Sequence, residues 1–249
     1  DVSSAAISLY FLPVTTRVPL KFGSETLTSV TCVRVRMEIA GSDGRTAQGW
    51  GETPLSVQWV WPSEIPYTER HQALKHLCKK LAHAWAEFDG TGHALEIGHA
   101  FQNDILSRVL SEVNKQREKE DREPIPWLAA LVCCSPFDLA LHDAYGVLHD
   151  KSVYETYRPP FMNRDLAHFL DPAERSQISF EGKYPQDFIV FPKSDRLLAW
   201  HLVGGLDALD ESDLTGDEPD DGYPVLLTDW IARDGLRCLK IKLRGTDAE

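Results

Sequence analysis

The sequence of 249 residues lacks any apolar run long enough to cross a bilayer: the longest, Trp127 to Cys134, falls far short of the ~20 residues a helical span needs. Ile7 to Val14 is apolar but has no basic flank, so it does not read as a signal peptide. The chain opens on Asp1 and not on Met, which leaves room for a leader ahead of it. Basic charge is also short. Lys and Arg number 26 against 38 Asp and Glu, and the net charge of -12 opposes both phosphate backbones and anionic lipid. Nucleic acid and membrane are therefore not expected partners. The five cysteines are an odd number with no C-x-x-C, and Cys133 and Cys134 are adjacent, a poor geometry for a disulfide. A soluble protein of a reducing, cytoplasmic compartment is expected. H-E-x-x-H and G-x-S-x-G are missing, and Gly182-Lys183 is followed by Tyr184 without the glycine spacing of a phosphate loop. Zinc protease, serine hydrolase and nucleotidase chemistry are set aside.

What is present is an ordinary globular balance, with 43% hydrophobic and 26% charged residues in a length suited to one or two domains. Val33, Val35, Met37 and Ile39 alternate with Arg34, Arg36 and Glu38, the period of a half-buried antiparallel strand. Gly41-Ser42-Asp43-Gly44 turns the chain, which returns through Thr46 to Trp50 toward Gly51-Glu52, giving an amino-terminal β-meander. A helix then follows from an N-cap at Thr68, with Leu74, Leu77, Cys78, Leu81, Trp85 and Phe88 on one stripe and Asp89-Gly90 as its stop. Leu106, Val109, Leu110 and Val113 make a second stripe. Eight of the nine residues from Lys115 to Glu123 are charged, with both signs mixed, and read as a solvated helix end or loop. Ser135-Pro136-Phe137-Asp138 has the order of a helix start or restart, followed by a buried face of Phe137, Ala140, Leu141, Ala144, Tyr145 and Leu148.

Residues 158–196 are proline-punctuated and read as a linker or insertion between a first domain, 1–157, and a second, 197–249. There the pattern becomes that of a βαβ unit. Leu197 to Val203 suits a strand buried on both sides, and a loop from Asp207 to Asp221 carries eight acidic residues and no basic one. Pro224 opens a helix with Leu227, Trp230 and Ile231, closed by Gly235, and Leu236 to Leu243 forms the next strand. The acidic loop lacks the D-x-D-x-D-G spacing of an EF-hand and reads as a solvated insertion.

The chemistry concentrates in that last strand. Leu239, Ile241 and Leu243 share one face, which leaves Lys240 and Lys242 together on the other. In a closed parallel barrel the apolar side faces the surrounding helices and the opposite side faces the lumen, where charge is costly unless function holds it. A cation beside a cation, partly desolvated, loses basicity, so one member of such a pair can accept a proton while the other holds an anion. A carboxylate substrate with an acidic α-proton satisfies both.

Three motifs in order carry a family resemblance: Gly49-Trp50-Gly51-Glu52, the helix from Phe137-Asp138-Leu139-Ala140-Leu141-His142-Asp143-Ala144-Tyr145-Gly146, and Leu239-Lys240-Ile241-Lys242. Together they resemble the mandelate racemase and muconate lactonizing enzyme branch of the enolase superfamily over nearly all of the chain. The resemblance implies an α+β capping domain, antiparallel meander plus helices, followed by the start of a TIM-type (β/α) barrel that is incomplete in this chain. It implies Lys242 as general acid/base and Lys240 as the lysine that meets the substrate carboxylate and tunes its neighbour. It further implies an enolate stabilised by Mg²⁺, with three acidic ligands on later barrel strands, downstream of Glu249. These residues taken alone are then expected to be inert, the remainder of the barrel being needed. Two capping loops are implied to close over substrate: Arg17 to Ser29, with Lys21, Phe22 and Gly23, and Thr53 to Tyr67, with Trp59 and Trp61. For the two Trp, packing against the barrel rim is the competing reading. His201, at the end of the first barrel strand, faces either substrate or the core, and His142-Asp143 reads as helix packing. Racemase or epimerase and cycloisomerase lead, acid-sugar dehydratase stays open, and a non-catalytic binding protein on the same scaffold is the alternative. Homo-oligomers through capping-domain contacts are implied by the same analogy.

Overall fold

The computed structural model describes residues 1–22 and 25–242. The chain divides into two compact units, one of residues 1–12 and 31–190, the other of residues 13–30 and 191–249. Strands β1 (Val2–Phe22) and β2 (Glu25–Gly41) run through both, and β3 (Thr46–Pro54) completes a three-stranded sheet in the order β1-β2-β3. The meander read from the sequence is present, and β2 and β3 are antiparallel. A single helical turn, α1 (Val57–Val60), leads to α2 (Tyr67–Ala86), α3 (Ala94–Ala100), a π-helical turn, α4 (Ser107–Lys119) and α5 (Trp127–His149).

The sheet's inner face explains where α5 sits. On β2 it presents the fully buried Val33, Val35, Met37 and Ile39, while on β3 it presents Ala47, Gly49 and Gly51. The register pairs Val35 with Gly51, Met37 with Gly49 and Ile39 with Ala47, so large side chains on one strand stand beside almost none on the next. α5 fills that trough. A Cβ at residue 49 would overlap the backbone of Ala140 and Ala144, and one at residue 51 the backbone of Pro136 and Ala140. Polar ties flank the contact: the Trp50 N–H donates to Asp143 Oδ2 at 2.8 Å, Thr53 Oγ1 to Ser135 Oγ at 3.0 Å, and Arg45 Nη1 to the Leu148 carbonyl at 2.9 Å.

Local signals were outvoted at three points in this unit. No helix begins at Ser135-Pro136; α5 passes through Pro136 without interruption. Proline removes one backbone donor, but Ala129, Ala130 and Cys133 before it and Phe137, Ala140 and Leu141 after it are buried on the same helix, and that burial carries the helix through. Thr68 is not an N-cap, since Pro66 holds that position and Thr68 lies in the first turn of α2. The stripe it was meant to introduce is correct, with Leu74, Leu77, Cys78, Leu81 and Trp85 all fully buried. The charged run is not wholly solvated either. Arg117 is buried, its Nε donating to the Glu123 carbonyl at 2.7 Å and its guanidinium lying 5.1 Å from the centre of the Trp61 ring.

His93, also fully buried, closes α3 with a capping box. Its Nδ1 accepts from the Leu95 N–H at 3.1 Å, which leaves Nε2 as the protonated nitrogen, 3.0 Å from Thr156 Oγ1. Burial, reinforced by the nearby His142 and His149, pushes its pKa down to about 3.

In the second unit, β4 (Trp200–Val203) and β5 (Cys238–Ile241) form a parallel pair joined through α6 (Leu227–Asp234), the βαβ pattern expected. The elements are shorter than the sequence suggests. Leu197 and Leu198 precede β4 and are 88% and 60% exposed, and Trp200 is 69% exposed, so the first strand is not buried on both sides: two strands cannot cover both faces of one another. α6 begins at Leu227, not at Pro224, and ends at Gly235 in the left-handed conformation, φ 62°. Leu243, placed in the last strand from the sequence, lies outside the described residues. Among the described residues the five cysteines are unpaired, and no helix is long and apolar enough to cross a membrane.

Two predictions follow from the first unit's packing. Gly49→Ala and Gly51→Ala each destabilise by about 3 kcal/mol, because helix and strand backbones must part, whereas Thr46→Ala on the exposed face stays within about 0.5 kcal/mol; urea unfolding measures both. His93 is neutral when folded and protonates once unfolded, so its contribution is intact above pH ~6.5 and is lost as pH falls toward 3, by up to about 1.4 kcal/mol per pH unit. His93→Asn keeps a capping acceptor and flattens that part of the stability–pH curve.

Candidate functional site

The parallel ladder fixes which side chains share a face. Directly paired residues point the same way, and the pairs are Trp200 with Cys238, His201 with Leu239, Leu202 with Lys240, and Val203 with Ile241. The Lys242 N–H extends the ladder to the Val203 carbonyl at 2.9 Å. His201, Leu239, Val203 and Ile241 thus occupy one face. Lys240 occupies the other with Leu202. α6 meets the first face at Trp230, 5.4 Å from His201 between ring centres. Lys240 thus stands on the face opposite the His201–Trp230 contact.

The register separates His201 from Lys240 and does not bring them to one site. Lys240 is exposed, Lys242 is half-buried, and Ile241 on the opposite face is 65% exposed. Lys21, at the end of β1, is half-buried in the same unit, and the side chain of Phe22 and the whole of Gly23 lie outside the described residues. Trp59 and Trp61 belong to the other unit. Trp59 is 56% exposed; Trp61 is fully buried, donates Nε1–H to Glu123 Oε1 at 2.5 Å, and accepts Arg70 Nη1–H on its carbonyl at 2.6 Å. Packing is thus the role the structure shows for Trp61, and Glu123, hydrogen-bonded by Trp61 and by Ser63, is held below the usual carboxylate range.

A cleft of about 750 Å³ opens between β1 and α6, with His201, Leu202 and Val203 of β4 also lining it. Thr16 to Leu20 of β1 form one wall, and His201, Leu206, Leu227 and Trp230 are among the residues opposite. The acidic loop borders it, and several of its carboxylates accept from backbone amides. Asp207 accepts from the Gly204 N–H at 2.7 Å, Asp213 from Leu209 at 2.9 Å, and Glu218 from Thr215 at 2.5 Å and Gly216 at 2.9 Å. Hydrogen bonds from Ser212 and Thr215 hold Asp210 and Glu218 below their ordinary pKa. Among the described residues no three His, Cys, Asp or Glu side chains gather as metal ligands. The acidic side chains described here do not fit a magnesium site.

Neither a family model nor a curated protein matches the sequence. Solved structures do resemble it in part. The L-Ala-D/L-Glu epimerase from Bacillus subtilis is 18% identical, with 63% of this chain and 35% of that one covered at a TM-score of 0.34. A mandelate racemase/muconate lactonizing enzyme-like protein from Rubrobacter xylanophilus is 18% identical, with 63% and 34% covered at 0.32. The L-talarate/galactarate dehydratase from Salmonella typhimurium LT2, liganded with Mg and L-lyxarohydroxamate, is 16% identical, with 57% and 30% covered at 0.30. A member of the enolase superfamily from Roseovarius nubinhibens ISM is 15% identical, with 60% of this chain and 32% of that one covered at 0.32. This chain spans about a third of their length, and matches at this level carry no residue correspondence.

Arg117 and His93 escaped the sequence reading. Arg117 stands four residues past Val113 on the buried stripe, and His93 stands three before Glu96 in capping-box spacing; either spacing marks the residue. The roles of the two loop tryptophans separate by substitution. Trp61→Phe leaves Glu123 without its indole donor and lowers stability by about 1 kcal/mol, while Trp59→Phe stays within about 0.5 kcal/mol, as thermal unfolding will show.

Proposed function

We propose that this chain supplies the capping domain and the first barrel strands of an enzyme that removes the proton α to a carboxylate. Lys242 is the base and Lys240 the cation beside the carboxylate. The observation that supports this most is the register of β5: the ladder sets Lys240 on the face opposite His201 and its Trp230 contact, and strand alternation would carry Lys242 to the same side. Further barrel strands would pair with the open edge of β5 and enclose that face.

The step follows from the two amines. The Lys242 Nζ lone pair takes the α-proton, and the C–H bonding electrons move into the carboxylate to form an enolate. The Lys240 ammonium offsets the charge that accumulates on the carboxylate oxygens, where an opposite charge in a water-poor site has most effect. A second acid on the opposite side of the substrate would have to return a proton to give the epimer; the paired lysines favour racemase, epimerase or cycloisomerase chemistry over acid-sugar dehydration. Magnesium would complete the stabilisation, with ligands from later strands and not from the carboxylates described here.

The test is α-proton exchange. The protein carrying this chain is incubated in D₂O with chiral α-substituted carboxylic acids and the α-proton signal is followed by NMR. Lys242→Ala lowers the exchange rate about 100-fold or more, the scale of a lost general base. Exchange that persists undiminished in Lys242→Ala and Lys240→Ala contradicts the proposal.

A further inference from the structure

Arg17 is the most heavily engaged side chain of the second unit. Its Nε and Nη2 donate to the two oxygens of Asp221 at 2.7 and 2.8 Å, Nη2 also to the Tyr223 carbonyl at 3.1 Å, and Nη1 to the Pro224 carbonyl at 3.2 Å. The same guanidinium lies 5.9 Å from the Tyr223 ring centre and 6.0 Å from that of Trp230. Arg233 stacks on those two rings at 4.9 and 4.6 Å. An exposed ion pair ordinarily contributes little. A bidentate fork with two carbonyl acceptors and two aromatic faces is a different case, because the planar guanidinium holds its donors in a fixed geometry that four hydrogen bonds use here.

The position of these contacts gives them a consequence. Arg17 belongs to the segment Thr16 to Leu20 that forms one wall of the cleft between β1 and α6, and Asp221, Tyr223 and Pro224 belong to the turn that leads into α6. We propose that Arg17 and Asp221 form a latch that holds the β1 segment as the closing wall of this cleft, so that access to His201 and Trp230 is set by one surface ion pair. The latch ties the distal part of β1 to the βαβ unit 204 residues later in the chain. Both partners touch solvent, so the latch can open without disrupting a core. Asp221 is held ionised by Arg17, its pKa lowered to about 2, so charge substitution and salt open the latch and ordinary acidification does not. The inference does not depend on the proposed lysine chemistry, since Lys240 and Lys242 are not among the residues that line the cleft.

The test is covalent labelling of histidines in the full-length protein with diethyl pyrocarbonate, read peptide by peptide. His83, exposed on α2, and the buried His93 serve as references. In Asp221→Asn and Arg17→Gln, His201 labelling rises severalfold toward that of His83 while His93 stays protected. Arg17→Lys, which keeps the charge and loses the fork, falls between. The exchanged pair Arg17→Asp with Asp221→Arg restores protection of His201. Unchanged His201 labelling in both single variants overturns the latch. So does a rise in His93 labelling matching that of His201, if the exchanged pair fails to reverse it, because that pattern is global loosening.

Discussion

The contact between Gly49, Gly51 and the backbone of α5 is the constraint on which the first unit rests. Side chains normally hold a helix and a sheet about a side-chain layer apart, and here one strand contributes none. The helix drops into the trough beside Val35, Met37 and Ile39, and its own Ala140 and Ala144 are small enough to let it stay there. That depth brings Asp143 to the Trp50 N–H, so a carboxylate occupies an amide on the outer edge of β3 that would otherwise be open to another strand. It also determines which face of α5 looks outward.

The second unit is held differently. Its parallel pair is short, much of its apolar surface is exposed, and its coherence comes from Trp230 against His201 and from Arg17 on the Asp221 turn. Burial dominates in one unit and directed polar contacts in the other. Lys240 and His201, adjacent in the β4–β5 sheet, serve opposite faces, so the unit offers two separate surfaces.

Much of this was legible in the residues because the signals were local and periodic. The alternation from Val33 to Ile39 placed a strand and its buried face, and the α2 stripe from Leu74 to Trp85 did the same for a helix. Gly49 and Gly51 announced themselves as a motif, yet their reason lies in a helix about ninety residues later, and no window on the sequence contains both. Pro136 and Thr68 misled because a capping signal is worth about a kilocalorie and a buried helix face several. Arg117 was hidden by its neighbours: eight charges in nine residues read as solvent, and its contacts with Trp61 and Glu69, far away in sequence, show otherwise. Strand alternation predicts a shared face for Lys240 and Lys242, whereas the placement of His201 opposite Lys240 needed the β4–β5 register.

The account's central claim is that the lysine face of β5 meets a carboxylate, and competitive amine labelling tests it most directly. The protein carrying this chain is acetylated with a trace of reagent, with and without saturating chiral carboxylates, and each lysine is quantified by mass spectrometry. The account predicts that Lys240 and Lys242 become protected together by at least one acid, while Lys79 and Lys80, exposed on α2, react as before. If Lys240 and Lys242 react no differently from those two under every acid, the face does not bind carboxylates and the functional assignment fails.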